Sequence, residues 1–250
     1  MTILWIILSM FAMGLLLGFV GAGGSGFMIA ILTVIFKVDI HLAMGTALAA
    51  MMFTSLSGAV SHFREQNVDL ASGVIVGLTG AVGAWFGSTV AFTIPAEIMT
   101  WCTAGMLTLS SLVLWLRLTV LRKLVLDVPT TRGVRFILTS SAIGAATGFL
   151  SGTFGIGSTP FIQVGLMLLL GLPIRLAAGT TMLVILPIAA SAGVGYYYEG
   201  SLDTKLLLAV LAGSMTGSYA GAKLTKRAPA SVLKFGMVAT PIAAACLLLI

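Results

Sequence analysis

Two six-residue stretches combine backbone and side chains suited to holding a ligand: Gly21-Ala22-Gly23-Gly24-Ser25-Gly26 and Gly155-Ile156-Gly157-Ser158-Thr159-Pro160. Glycine clustered with Ser, Thr and Pro is too permissive to remain helical. A helix starting at Ser25 or at Thr159 presents unpaired backbone N–H groups, the positive end of its dipole and a hydroxyl. That set attracts an anion without a buried Lys or Arg. The candidate binding residues are Gly21, Gly23, Gly24 and Ser25 in the first stretch and Gly155, Gly157, Ser158 and Thr159 in the second. Further on, Gly45-Thr46 and Gly179-Thr180 open the next long apolar runs, where a Thr either caps a helix or faces a cavity. Ser57 and Ser191 follow eleven residues later, about three turns on, so each shares a face with its Thr. They either line the same path or bond back to their own helix.

The elements that position these residues come in two copies. Shifting residues 14 to 116 forward by 134 superposes Gly14, Gly18, Gly21, Gly23, Gly45, Gly83 and Gly87 on Gly148, Gly152, Gly155, Gly157, Gly179, Gly217 and Gly221. The same shift, without a gap, matches Phe27 with Phe161, Thr46 with Thr180, Glu65 with Glu199, Asp69 with Asp203 and Pro95 with Pro229. One ancestral half has been duplicated. Residues 1–116 form the first repeat, 117–134 a basic linker and 135–250 the second repeat.

Hydrophobic residues make up 59% of the chain, charged residues 8%, and the mean hydropathy is +1.15, which is the composition of a multi-spanning membrane protein. The apolar runs last about 20 residues, the length of a transmembrane helix and twice that of a barrel strand. The fold class expected is all-α: a polytopic helical membrane protein of two homologous repeats, each with a Gly-rich broken or re-entrant helix. The first twenty residues carry no Lys or Arg and run on into the first repeat, so they are expected to stay as a span. Cys102 and Cys246 fall in apolar runs and form no CxxC, so they count as small core residues. No His, Cys or carboxylate cluster has catalytic or metal-ligand spacing inside a run, so neither an enzyme, a metal centre nor a cofactor is expected.

The net charge of +6 speaks to orientation and not to nucleic acid, because nine of the thirteen basic residues sit in two short connections. Arg117, Arg122, Lys123, Arg132 and Arg135 mark the linker as cytoplasmic, and Lys223, Lys226, Arg227 and Lys234 mark a second cytoplasmic loop. The first-repeat counterpart of that loop, residues 89–100, has no Lys or Arg. Equivalent loops of opposite bias belong on opposite sides, so the repeats are expected to be inverted. Each half then needs an odd number of crossings, and the block at residues 2–36 must count twice. Phe27 to Phe36 and Phe161 to Leu170 are the short helices after the breaks, each covering about half a bilayer. His62, Arg64, Glu65 and Asp69, with Glu199, Asp203 and Lys205, read as loop residues that cap or anchor helices, and Tyr196, Tyr197 and Tyr198 as an aromatic belt.

Three repeated motifs carry a resemblance. They are G-x-G-G/S-S/T-x-F (Gly21 to Phe27, Gly155 to Phe161), A-x-G-T (Ala43 to Thr46, Ala177 to Thr180) and E-x-x-V/L-D (Glu65 to Asp69, Glu199 to Asp203). On these motifs the chain resembles the TauE/SafE family of membrane permeases over nearly its whole length. The second glycine motif departs from the family pattern at Ser158 and Thr159, where Gly is frequent. What the resemblance implies is export of small sulfur-containing anions, such as sulfite or organosulfonates, across a bacterial cytoplasmic membrane, driven by an ion gradient. The partners expected are the small anion, the lipid bilayer, a coupling proton or sodium ion and, as an open question of assembly, further copies of the chain. A passive anion channel, or a duplicated permease for another small metabolite, fits the same residues.

Overall fold

The computed structural model describes residues 2–20, 25–119, 133–225 and 230–250. Among them every element is helical: α1 (Thr2–Val20), α2 (Ser25–Ala30) running on into a π-helical turn (Ile31–Ile35), α3 (Ile40–Arg64), α4 (Leu70–Ala91), α5 (Ala96–Thr119), α6 (Val134–Phe154), α7 (Thr159–Leu169), α8 (Ile174–Tyr198), α9 (Thr204–Thr225) and α10 (Ala230–Leu248). The helices α3, α4, α5, α6 and α8 are each long and apolar enough to cross a membrane. The short helices begin at Ser25 and Thr159, with Pro160 in the first turn of the second. Most of the linker (120–132) and the motif glycines Gly21, Gly23 and Gly24 lie outside the described residues.

Local chemistry sets the helix ends. The Asp39 carboxylate accepts from the backbone N–H of His41 (2.9 Å) and Leu42 (3.4 Å) at the start of α3. Asp69 does the same for Ser72 at the start of α4, and Asp203 for Lys205 and Leu206 at the start of α9. Two connections use a left-handed residue, and these recur at the 134-residue spacing whatever the residue type: Lys37 with Gly171, and Gln66 with Gly200.

The main packing pairs all join the first half of the chain to the second: α1 with α9, α4 with α6 and α8, α3 with α8, and α5 with α10. Lipid tails give helices no hydrophobic reason to associate, so close backbone approach through small residues must hold them. Gly83 and Gly87 lie against the carbonyls of Ala145 and Phe149 on α6, while Gly213 and Gly217 lie against those of Ile7 and Phe11 on α1. Ser191 donates to the Ala81 carbonyl at 2.7 Å, tying α8 to α4, and Ser111 donates to Val238 at 2.6 Å, tying α5 to α10.

These contacts also give directions. Gly213 and Gly217 meet Ile7–Phe11 and Phe11–Leu15 in rising order, so α1 and α9 are parallel; Gly80 and Gly87 meet Gly144 and Thr153, so α4 and α6 are parallel. Gly73, Gly77 and Gly80 meet Leu183, Pro187 and Ile188, which makes α4 and α8 parallel. In contrast, Gly45, Gly58 and Gly179 meet Tyr196, Met182 and His62, so α3 and α8 cross antiparallel. Helices separated by four or five residues reverse direction. It follows that α1, α3, α5 and α9 run one way and α4, α6, α8 and α10 the other. Between the parallel helices α1 and α3, the chain must turn back, and the eleven residues Ser25–Ile35 cover about 16 Å of that return. Helix α7, also eleven residues, makes the equivalent return between α6 and α8.

Candidate functional site

The break after α6 is built by three residues in the left-handed region. Gly155 (φ 70°) caps α6, Gly157 follows (φ 65°), and Ser158 (φ 45°, ψ 20°) precedes α7. For glycine this backbone is free; for a serine it costs about 1–2 kcal/mol, which persists only where the surroundings hold it in place. Its neighbours are close: Met44 and Ile29 pack over Gly155 at 2.8–2.9 Å from the position a Cβ would take, and the thioether of Met51 lies over Gly157.

Here the start of α2 meets the connection between α6 and α7. A Cβ on Gly157 would stand 3.4 Å from Ser25 Oγ, the first residue of α2 and the counterpart of Thr159 under the 134-residue shift. Met51 is one residue short of the midpoint of α3, so the meeting point lies deep within the bundle. Ser25, Ser158 and Thr159 are buried, and all three hydroxyls lack a hydrogen-bond partner. So does the hydroxyl of Ser151, in the last turn of α6. A buried unpaired hydroxyl costs about 1–3 kcal/mol; Thr33, Thr103, Ser140 and Ser214 also lack partners, but four such hydroxyls gather around this one connection.

The other candidate hydroxyls are employed elsewhere. Thr46 donates to the Leu42 carbonyl within its own helix at 2.8 Å. Thr180 Oγ1 accepts from the backbone N–H of Asp69 at 2.9 Å, holding the α3–α4 turn. Ser191 binds α4 as described, and Ser57 is exposed on the outer face of α3. The structure thus brings Ser25, Gly155, Gly157, Ser158 and Thr159 together, whereas the hydroxyls of Thr46, Thr180 and Ser191 are already bonded and Ser57 is exposed.

Two of the sequence motifs prove to be the two sides of one joint, made twice. The Gly45 of A-x-G-T lies against the Ser201 carbonyl in the E-x-x-L-D turn of the second half, and Gly179 lies against the Asn67 carbonyl in the E-x-x-V-D turn of the first. Tyr196 corrects the aromatic-belt expectation. It is wholly buried, stacks near Phe92 (centroids 5.1 Å apart) and donates to the Gly152 carbonyl at 3.0 Å. That carbonyl is one of the last four of α6, which have no partner within the helix. Tyr197 and Tyr198 do face outward.

Sequence reasoning did not single out Ser151, Met44, Met51 or Gln163. Gln163 is buried one turn past Thr159, and an amide inside the apolar run 161–170 was a readable signal. Met44 and Met51 recur at i and i+7, a spacing that reads as ordinary core. Among the described residues no group of three His, Cys, Asp or Glu comes together as a metal site, and Cys102 and Cys246 are free thiols.

The Sulfite exporter TauE/SafE family model matches residues 6–248. The chain is 51% identical over 245 residues to "Probable membrane transporter protein YdhB" of Bacillus subtilis (strain 168), covering 98% of this chain and 99% of that one. A "Probable membrane transporter protein" of Xylella fastidiosa (strain 9a5c) is 27% identical over 87% of this chain and 83% of its own, and "Probable membrane transporter protein YjnA" of Bacillus subtilis is 27% identical over 93% and 94%. No solved structure matches. The apolar spans and these relatives agree: the chain is a multi-pass membrane transporter belonging to the TauE/SafE sulfite exporter family.

Proposed function

We propose that this protein is a secondary transporter that exports small sulfur-containing anions, sulfite or organosulfonates, holding the anion between its two helix breaks. The observation that carries the reading is the meeting of Ser25 with Gly157 deep in the bundle, ringed by buried hydroxyls without partners. Irregular backbone at membrane depth is tolerated where it lines a cavity or a binding site. Helix α7 adds the N–H groups of its first turn, and a small oxyanion accepts from several such donors at once.

The directions of the helices support an inverted repeat. Each of α1, α3, α4 and α5 runs opposite to its partner 134 residues on, respectively α6, α8, α9 and α10. Alternating access then takes place around the shared centre. Because glycine packing locks α1 to α9 and α4 to α6, those interlaced pairs, and not the sequence halves, are the units that move. A proton or sodium ion supplies the drive.

Among the described residues, Arg64, Arg117, Arg135, Arg175, Lys223 and Lys234 belong to helix ends that these directions put on one side, and Lys37 and Lys205 to the other, which supports the inverted reading. Six of these eight described basic residues share one end, and by the positive-inside rule that end is the cytoplasmic one in this reading. Single cysteines at Ile94 and Ala228, in a background lacking Cys102 and Cys246, should therefore be labelled by an impermeant maleimide from outside and inside respectively. Labelling from the same side would remove the inversion.

The functional test is flux in liposomes carrying the purified full chain, with sulfite, methanesulfonate, sulfate and chloride compared with and without imposed pH and sodium gradients. Saturable, gradient-driven movement of sulfite or the sulfonate is the expected result. Non-saturating flux indifferent to both gradients would make the protein an anion channel, and flux of none of these anions would remove the substrate assignment.

A further inference from the structure

We infer that Tyr196 is the outer gate of the transport route, and that its hydrogen bond to the Gly152 carbonyl holds the protein closed between the outside and the meeting point of Ser25 and Gly157. The inference rests on the inverted-repeat reading above and adds to it the residue that shuts one side.

Depth along α3 puts the groups in order. Met51 lies over Gly157, Met44 over Gly155, and Gly45 against the Tyr196 side chain. From Met51 to Gly45 is six residues, a rise of about 9 Å toward the start of α3, the end assigned above to the outside. Tyr196 therefore stands between Ser25 and that end. Its ring is wholly buried against Phe92, and its hydroxyl lies 3.0 Å from the Gly152 carbonyl and 3.9 Å from the Met44 sulfur. Met44 and Ile29, both wholly buried, cover Gly155 beside it.

The 134-residue shift names the equivalent residues on the inner side, and they differ in kind. Tyr196 and His62 each stand two residues before the end of a 25-residue helix, and because α3 and α8 cross antiparallel they lie at opposite ends of the bundle. His62 is half-buried, and its Nδ1 has no partner. Met44 corresponds to Ala178, which is half-buried, and Ile29 to Gln163, which is polar. The outer side is filled by large side chains and latched by a hydrogen bond; the inner side has smaller or more polar residues and no such latch.

A buried tyrosine leaves its acceptor only by giving up a bond that no water replaces. In alternating access the two sides open in turn, so Tyr196 must release Gly152 before the outer side opens. The bond thus sets how much of the outward-open state is present.

Ser25→Cys, in a background lacking Cys102 and Cys246, reports both routes because it stands where they meet. In right-side-out and inside-out membrane vesicles, an impermeant anionic methanethiosulfonate should modify it faster from the inside than from the outside. Adding Tyr196→Phe keeps the ring beside Phe92 and the backbone carbonyl that holds the Ser201 N–H, and removes only the hydroxyl. It should raise the outside-to-inside ratio of rates by at least about fivefold, the outer rate rising as the inner one falls. The ratio is read within one protein and is independent of its yield.

An unchanged ratio, or faster modification from the outside than from the inside before Tyr196 is altered, would overturn the inference. Both rates rising together would mean a loosened bundle, make Tyr196 structural and overturn it equally. No modification from either side in either protein would take Ser25 off any route and the gate with it. The result needs no anion flux, so a wrong substrate assignment leaves the gate standing, whereas intact flux with an unchanged ratio removes the gate and leaves the transporter.

Discussion

Thr159→Val and Ser25→Ala should each lower anion flux by about tenfold while leaving thermal stability equal or slightly raised. Both hydroxyls are buried and unpartnered, so in the empty protein they contribute no bond and carry a desolvation cost. Valine has the shape of threonine, and alanine keeps all of serine but the hydroxyl. Removing a group that holds only the fold would lower the melting temperature; removing one reserved for a ligand lowers flux alone. The tenfold figure is one hydrogen bond to a charged partner, about 1.5 kcal/mol. Ser25→Phe should go further and abolish flux, because Gly157 stands against Ser25 Oγ and the Leu107 side chain already presses on Gly26. Flux in liposomes and melting of the purified variants in detergent give both readouts. Full flux in Thr159→Val and Ser25→Ala together would remove these hydroxyls from the site, and a fall in melting temperature would make them structural.

The second large effect is at the joints. Gly45→Ala and Gly179→Ala should each destabilise the protein by about 3 kcal/mol or more, because a carbonyl of the opposite half occupies the place of the new methyl group. Neither Ser201 nor Asn67 can withdraw easily. Asn67 N–H is bound to the His62 carbonyl at 2.9 Å, Ser201 N–H is bound to the Tyr196 carbonyl at 2.8 Å, and each turn leads into a helix capped by its Asp. Gly105→Ala is the control, with nothing within 4 Å of its Cβ position, and should be neutral or stabilising by up to about 1 kcal/mol. Similar losses at Gly45 and Gly179 are expected because both meet the same turn at equivalent positions. A harmless Gly179→Ala beside a costly Gly45→Ala would show that the two joints are not equivalent. Thermal melting monitored by size-exclusion fluorescence distinguishes these outcomes.

Much of the architecture was legible from local signals. The sequence has apolar runs of span length at 43–62, 70–92 and 97–116, and the structure has α3, α4 and α5 there; α3 and α5 are longer by a few residues, with Asp39 and Pro95 at their starts, and α4 ends one residue earlier. The second glycine cluster falls between α6 and α7, where Gly155 and Gly157 take left-handed backbone; most of the first lies outside the described residues. The loop acids capped helices as expected at Asp69 and Asp203. Less legible was which small polar residue does what. Thr159 and Thr180 are the same residue type in similar company, yet one hydroxyl is unpartnered at the break and the other holds the Asp69 N–H. Tyr196 and Tyr197 are neighbours in sequence, and one is wholly buried while the other faces outward.

The sequence by itself determined the membrane class and the all-helical architecture, because each is written in composition or in local backbone preference. What only the tertiary structure decided was partnership: that Ser25 of one break meets Gly157 of the other, that A-x-G-T seats the opposite E-x-x-x-D turn, and that α1 pairs with α9 and α4 with α6. The physical reason is that between helices in lipid the contact is made by backbone and small side chains at close range. A glycine that admits a neighbouring carbonyl and a glycine that bends the chain are the same letter in the sequence. They differ only in what stands 3 Å away.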